Sequence, residues 1–341
     1  MRKTFLFASI IILVTGICLL LGFTYSIPDE EKQQGLTGQF DVSAQGDIAF
    51  VTYERGKPTL YVKSKQLRQV VQLPSNQSIL DLAIMPDGKT VLYVNSDKEL
   101  DEHSKSIIHK VKIESGKDEV LFTKDAIVME LVIDPKNDER IFYLQANQFS
   151  HYSPIASLYP HDFDVHSVQL KTGEHVQHTE LKKYSMSSLQ VSSEDDSIYI
   201  QMDDDADVET AEDSFETKGR VFKIPLSNPD HKMVISIPED TQDLYDFVLI
   251  PDRSELVYQA VAEANSEGIF EYELFSYNWD TQSITQLTHL HEYAEYPIYG
   301  ADEKVYFMVD KDFGGRRPDN SLYRMSPDGS DVEEVSLEES Q

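Results

Sequence analysis

Residues 84–94 read I-M-P-D-G-K-T-V-L-Y-V, in which a Pro-Asp-Gly turn separates two short apolar segments. Apolar segments joined by turn-forming residues of this kind are typical of a β-hairpin. Related phrases, with other turn residues, occur around Gly46, Asn137, Asp195, Asp252 and Asp302. A hairpin that returns roughly every 40 to 60 residues is typical of a β-propeller, whose units each bury their faces against neighbouring units.

Each repeat has room for two further strands, and turn formers such as Gly116, Gly173 and Gly329 lie between them. The sequence therefore predicts an all-β fold, a six-bladed β-propeller of four-stranded antiparallel blades. The predicted blades cover residues 39–73, 79–123, 126–182, 185–239, 243–290 and 292–337, followed by an acidic tail at residues 338–341. We expect the ring to close by packing of the first blade on the sixth.

The phrase at residues 84–94 resembles the repeat of TolB-like β-propeller proteins, a strand ending in Ser-Pro-Asp-Gly followed by a short apolar strand. The resemblance extends over residues 39–337. This chain lacks the aromatic residue that usually precedes the Ser, and its fifth repeat has Arg253 in place of the Gly. The resemblance implies the propeller architecture. It leaves the activity open, because this repeat occurs in binding proteins, peptidase lids and some lyases.

The N-terminus predicts export from the cytoplasm. Arg2 and Lys3 precede an uncharged run at residues 4–23 that contains thirteen Ile, Leu, Val or Phe residues. A run of this length predicts a transmembrane signal-anchor, with residues 1–3 in the cytoplasm, residues 24–38 as a tether and the propeller outside. Two alternatives stay open: cleavage of a signal peptide, giving a secreted protein, and lipid attachment at Cys18.

The composition limits the possible partners. The chain carries 60 acidic and 30 basic residues, a net charge of -30, so it repels polyphosphates and we expect no nucleic-acid partner. The charge is compatible with basic partners or with solubility alone. Because Cys18 is the single cysteine, core packing without disulfides must hold the fold.

The loops that join second to third strands, and one blade to the next, lie on one face of a propeller and form the predicted binding surface. The third such loop, residues 145–164, is rich in aromatic residues and His. Its candidate ligand-binding residues are His151, Tyr152, Tyr159, His161 and Phe163. The alternative is that its aromatic residues cover the channel mouth as a small core. Arg316 and Arg317, in the sixth loop, could bind an anion or neutralise neighbouring acids.

Two short stretches contain possible metal ligands, although no cofactor is required by the sequence. Asp203 and Asp205 belong to an acidic run that could bind Ca²⁺ or could simply be solvated. His289 and His291 occupy alternate positions, so with His151 or His161 they could bind a transition metal. Ordinary loop histidines are the alternative.

The sequence contains no G-x-S-x-G motif, so it does not predict a propeller-capped serine hydrolase. We expect a non-catalytic propeller that binds a protein or cell-envelope ligand on its loop-rich face. A metal-dependent carbohydrate enzyme, such as a lyase with His ligands at the channel mouth, is the main alternative. A structural spacer is the third.

Overall fold

The computed structural model describes residues 2–25, 31–206, 208, 217–236, 242–264 and 268–338. A helix, α1 (Arg2–Tyr25), comes first, and the strands that follow are arranged in successive groups of four. The first two groups are β1 (Gly35–Val42), β2 (Ile48–Glu54), β3 (Lys57–Lys63), β4 (Leu67–Gln72), and β5 (Gln77–Ile84), β6 (Thr90–Asp97), β7 (Ser106–Lys112), β8 (Asp118–Lys124). The next two are β9 (Ile127–Ile133), β10 (Arg140–His151), β11 (Leu158–Gln169), β12 (Glu174–Gln177), and β13 (Met186–Val191), β14 (Ser197–Asp204), β15 (Lys218–Pro225), β16 (Met233–Val234). The last two are β17 (Phe247–Ile250), β18 (Glu255–Ala264), β19 (Phe270–Asn278), β20 (Ser283–Gln286), and β21 (Tyr293–Tyr299), β22 (Val305–Asp310), β23 (Asn320–Met325), β24 (Glu333–Glu334).

The described strands form five hydrogen-bonded sheets, and the all-β, antiparallel character predicted for the chain is confirmed. The first four groups are separate four-stranded sheets, whereas β17–β24 form one eight-stranded sheet. A single parallel backbone pair, Tyr272 with Tyr293, joins the two halves of that sheet. The prediction of six separate sheets is therefore wrong in its count, because β19 and β21 approach closely enough to pair at this one position.

The first strands of the groups contact one another in a closed cycle. β1 contacts β5, and the contacts continue through β9, β13 and β17 to β21, which contacts β1 again. This arrangement is a β-propeller, with the first strands innermost and largely exposed fourth strands such as β12 outermost. Closure by packing of the first group on the last is confirmed, because Phe40 and Phe50 share a core with Met308 and Leu322.

A glycine lets the ring close where β1 meets β21. A Cβ atom at Gly38 would lie 2.4 Å from Cε2 of Tyr296, so any larger residue at this position would displace the Tyr296 side chain. β1 begins at Gly35, inside the segment assigned above to the tether, and the amide of Gly56 donates to the carbonyl of Gln33. The first sheet therefore extends further toward the N-terminus than the hydropathy pattern indicated.

Middle strands bury both faces, which explains their continuous apolar runs. In β6, Val91 and Tyr93 belong to the core shared with the first sheet, while Leu92 and Val94 belong to the core shared with the third. Neighbouring residues on a strand point to opposite faces, so a strand packed between two sheets needs apolar side chains at every position. The innermost strand β5 takes part in the same two cores, through Leu82 on one face and Ala83 on the other, so this packing also holds it in place.

The helix α1 covers the segment for which a transmembrane signal-anchor was predicted, residues 4–23. Within the described part of the chain, no helix has the length and apolarity needed to cross a membrane. The predicted membrane-spanning anchor is therefore not supported.

Candidate functional site

The antiparallel meander places the loops of each group at two ends. The turns between first and second strands lie at one end, and the loops between second and third strands lie at the other, together with the connections between groups. We call the second end the loop face. It includes residues 151–158, 178–186, 288–293 and 310–320.

Most of the predicted third loop is a hairpin extension. β10 and β11 remain paired as far as His151 and Leu158. Near the tip of the hairpin, Tyr152 and Tyr159 are 60% and 47% exposed. The ring of Tyr184 lies 4.7 Å from that of Tyr152 and 6.1 Å from that of Tyr159. These three tyrosines, here called the tyrosine cluster, form an exposed aromatic patch on the loop face.

Two candidates from the same stretch lie inside the hairpin. Phe163 is buried in the core between the third and fourth sheets. His161 is only 6% exposed and donates or accepts at both ring nitrogens: Nε2 lies 3.0 Å from Oγ of Ser150, and Nδ1 lies 2.9 Å from Oδ1 of Asp162. These residue types and bonds are those of an acyl-transfer triad. Here the ring of Tyr152 lies edge-on to His161, and that of Tyr184 is stacked beside it.

Tyr152 and Tyr184 cover His161, which favours a structural role for its hydrogen bonds with Ser150 and Asp162. We expect no stoichiometric adduct when the full chain is incubated with a fluorophosphonate, because the base is enclosed by rings and the bonds tie the hairpin together. Ser150→Ala should instead lower the free energy of unfolding by about 1 kcal/mol, the usual contribution of one such hydrogen bond. Intact mass and chemical denaturation check both points. An adduct that disappears in both Ser150→Ala and His161→Ala would contradict this interpretation.

The possible metal ligands are dispersed. The side chain of Asp205 pairs with Nζ of Lys183, which also donates to the carbonyl of Asp203 at 3.2 Å. Burial raises the pKa of Asp203. His291 lies 2.8 Å from Oε2 of Glu271, and His289 is exposed. Among the described residues, no three His, Cys, Asp or Glu side chains converge as metal ligands.

The remaining candidates lie at the edge of the loop face. Nδ1 of His151 is 2.6 Å from the carbonyl oxygen of Ala156, a contact within the hairpin tip. Arg316 and Arg317 are exposed in the loop between β22 and β23. The structure thus brings Tyr152, Tyr159 and His161 together, and it places the two arginines in a different loop.

A second aromatic group on the loop face was not predicted. Tyr245, Tyr272, Tyr293 and Phe313, here called the aromatic quartet, form a connected set of rings. Phe313 stacks on Tyr293 at 4.0 Å and 10°, and Tyr272 lies edge-on to Tyr293 at 4.7 Å and to Tyr245 at 5.5 Å. Tyr245 and Phe313 are each 37% exposed. The quartet therefore presents ring surface to solvent where the last two groups of strands meet.

Five carboxyl groups follow the innermost strands around the axis. Asp41 lies on β1, Asp81 on β5 and Glu130 on β9, while Asp246 immediately precedes β17 and Glu295 lies on β21. We call these the channel carboxyls, and all five are half-buried. Each lies beside apolar neighbours, as in I-L-D-L at residues 79–82 and V-M-E-L at residues 128–131. A lone acid in four of the first strands, and directly before a fifth, recurs at the period of the sheets and is a signal from which they could have been found.

Three channel carboxyls bind the backbone of the next sheet. Asp41 accepts from the amide of Ile84 at 2.7 Å, and Asp81 accepts from the amide of Leu131 at 2.6 Å. Glu130 accepts from the successive amides of Ser188 and Leu189, each at 2.8 Å. Ser188 has a φ of 56°, a left-handed conformation that turns successive amides toward one acceptor. These bonds connect the first four sheets in order around the axis.

The channel carboxyls hold protons more tightly than ordinary acids. Burial raises the pKa of Asp41 to about 6, that of Glu130 to about 7 and that of Glu295 to about 8. Burial also raises the pKa values of Asp81 and Asp246. The negative charge of Asp246 adds to the effect on both glutamates. None of the ion pairs found among the described residues includes a channel carboxyl.

The aromatic quartet adjoins this acidic channel. Tyr245 directly precedes Asp246, and Tyr293 is two positions before Glu295 on β21. Burial and the charge of Glu295 raise the pKa of Tyr293. Burial raises the pKa of Tyr245 to about 12, with further contributions from Tyr272 and Asp243. Tyr245 and Tyr293 are thus neutral hydrogen-bonding rings beside acidic groups.

Solved structures of other proteins share the propeller fold. TolB from Acinetobacter baumannii is 16% identical, with a TM-score of 0.56, over 83% of this chain and 61% of that chain. An oligogalacturonate lyase in complex with manganese is 13% identical, with a TM-score of 0.56, over 89% of this chain and 77% of that chain. A chain of a nidogen/laminin complex is 11% identical, with a TM-score of 0.54, over 82% of this chain and 89% of that chain.

These similarities define the class as β-propeller. The resemblance to TolB-like propellers is confirmed at the level of the fold. At such low identity the likeness shows architecture alone, and the chain spans less than two thirds, 61%, of the TolB chain that it matches. No protein-family model matches the sequence, and no curated protein matches it.

Proposed function

We propose that this chain is a non-catalytic, six-bladed binding propeller that recognises a protein or cell-envelope partner on its loop face. The two halves of the eight-stranded sheet act as separate blades in this proposal, because one residue pair joins them and each half has four antiparallel strands. The basic pair Arg2 and Lys3, followed by an apolar run, supports a location outside the cytoplasm.

The observation that carries the proposal is the exposed aromatic surface of the loop face. The tyrosine cluster and the aromatic quartet both combine solvent-exposed rings with hydrogen-bonding groups. Tyrosine gives a large contact area at a small loss of side-chain entropy, and it is enriched at protein interfaces. Nidogen and laminin form a complex, and a chain of that complex has this fold, which supports a protein partner.

The test is a crosslinking pulldown from native cells with the full-length chain. A Tyr152→Ser, Phe313→Ser double variant, which changes both aromatic groups, should reduce capture of the partner at least tenfold. Ile284→Ser, an exposed apolar residue on the outer strand β20, is the matched control and should capture as wild type does. Equal capture by the double variant would overturn the proposal. Deleting residues 149–163 is unsuitable, because it would remove buried His161 and Phe163 from the fold.

A metal-dependent carbohydrate enzyme is the second candidate, favoured by the similarity to the manganese-containing oligogalacturonate lyase. Metal analysis of the purified chain distinguishes the two. Stoichiometric Mn, Zn or Ca that is lost in His289→Ala or His151→Ala would support the enzyme.

A further inference from the structure

We propose that the aromatic quartet is the docking site for a basic side chain, a Lys or Arg in an extended segment of the partner, with the channel carboxyls Asp246 and Glu295 beneath it. This inference rests on the proposed function and names the chemistry of the partner. Its basis is that exposed rings and carboxyl groups meet at one point of the loop face, and that these carboxyl groups form no ion pair among the described residues.

The rings provide the first part of the argument. Phe313 lies over Tyr293 in a parallel stack, and Tyr272 meets both rings edge-on, at 5.6 Å from Phe313 and 4.7 Å from Tyr293. Phe313 and Tyr245 are the more exposed members. The faces of such rings attract ammonium and guanidinium groups, and the attraction is stronger where water is partly excluded. An anionic segment would gain no such attraction.

The charges select the occupant. Burial and the negative charges of Asp246 and Asp310 raise the pKa of Glu295, and a hydrogen bond with Tyr293 offsets only part of this effect. Three basic side chains on neighbouring segments have acidic partners of their own: Lys218 lies 3.6 Å from Asp243, Lys311 lies 2.9 Å from Glu334, and His291 lies 2.8 Å from Glu271. A basic side chain from outside would supply the opposite charge that the described residues do not provide.

The net charge of the loop that carries Phe313 does not disfavour the binding of a basic side chain. Residues 310–320 contain three acids and three bases, including Arg316 and Arg317, so the loop has no net charge. The excess negative charge therefore comes from the channel beneath the quartet. A metal ion is a poorer occupant, because no three described ligand side chains converge there. A Lys or Arg side chain combines an apolar stem, which can lie along the rings, with a charged end that can interact with the carboxyl groups.

Calorimetry with a defined probe tests the inference. The probe is an acetylated, amidated Arg-Gly-Arg peptide, with citrulline replacing both arginines in the neutral comparison, added to the full chain in 150 mM salt. We expect the arginine peptide to bind at least tenfold more tightly than the citrulline peptide. Phe313→Ala and Glu295→Gln should each weaken binding at least tenfold. Glu174→Gln and Ile284→Ala, exposed residues on outer strands, should leave it unchanged.

Three outcomes would overturn the inference: no binding at millimolar peptide, equal binding of the citrulline peptide, or equal binding by all variants, which would indicate diffuse attraction to the surface. Proton release gives an independent signature. Because burial raises the pKa of Glu295 to about 8, a bound cation should expel protons at pH 7, whereas ordinary surface carboxylates have none to release.

The two proposals can fail separately. Capture of the partner that depends on Phe313, without binding of the arginine peptide, would overturn the cation site and leave the binding function standing. Peptide binding without any partner captured through the loop face would support the cation site and overturn the proposed binding function.

Discussion

Replacing Glu130 by Ala should lower the free energy of unfolding by about 3 kcal/mol. The substitution leaves the amides of Ser188 and Leu189 without the acceptor that each now has at 2.8 Å. A buried donor left without a partner costs about 1 to 3 kcal/mol. Removing the charge also relieves repulsion with Asp81, but this gain is smaller because the raised pKa, about 7, keeps Glu130 partly protonated at neutral pH.

Urea denaturation at pH 7 measures the effect. Glu174→Ala is the matched control, since Glu174 is exposed on the outer strand β12, and it should change stability by less than about 0.5 kcal/mol. If the two variants lose similar stability, the bonds between the third and fourth sheets do not hold the ring together as described.

The propeller should become less stable as the pH rises from 5 to 9, and Glu295→Gln should remove part of that loss. The pKa of Glu295 is raised from 4.5 to about 8. Below pH 4.5 the group is protonated in both the folded and the unfolded chain. Between pH 4.5 and 8 the unfolded chain ionises more readily, so the stability due to the protonated group is lost, and above pH 8 it stays lost.

Glutamine cannot ionise, so Glu295→Gln should be more stable than wild type by about 2 kcal/mol at pH 9 and nearly equal to it at pH 4.5. Denaturation curves at both pH values check the difference. Glu174→Gln controls for the general loss of negative charge. Parallel pH profiles for wild type and Glu295→Gln would show that the channel does not perturb this carboxyl.

The strand pattern of the fold was predictable because hairpin turns and apolar runs are local. Residues 84–94 lie in β5, its turn and β6 as the pattern indicated. The number of separate sheets was not predictable, because the Tyr272 and Tyr293 backbone pair depends on how neighbouring groups pack. Likewise, the approach of Tyr296 to Gly38 follows from ring closure and has no signature in either local sequence.

The candidate site was predictable only where its members are close in sequence. Tyr152 and Tyr159 stood out because they belong to one aromatic stretch, whereas Tyr184 joins them from the connection to the next sheet. The aromatic quartet draws its members from four separate segments, so no window of sequence contains it. The burial of Phe163 depends on the inward face of β11, which composition does not reveal.

The central claim is that a partner binds the loop face, and hydrogen exchange of the full chain with and without the captured partner tests it most directly. The account predicts slower exchange at residues 151–158 and 310–320, with no change in the turns at residues 86–89 and 193–196 on the opposite end. Protection of those turns, with the loop face unchanged, would contradict it.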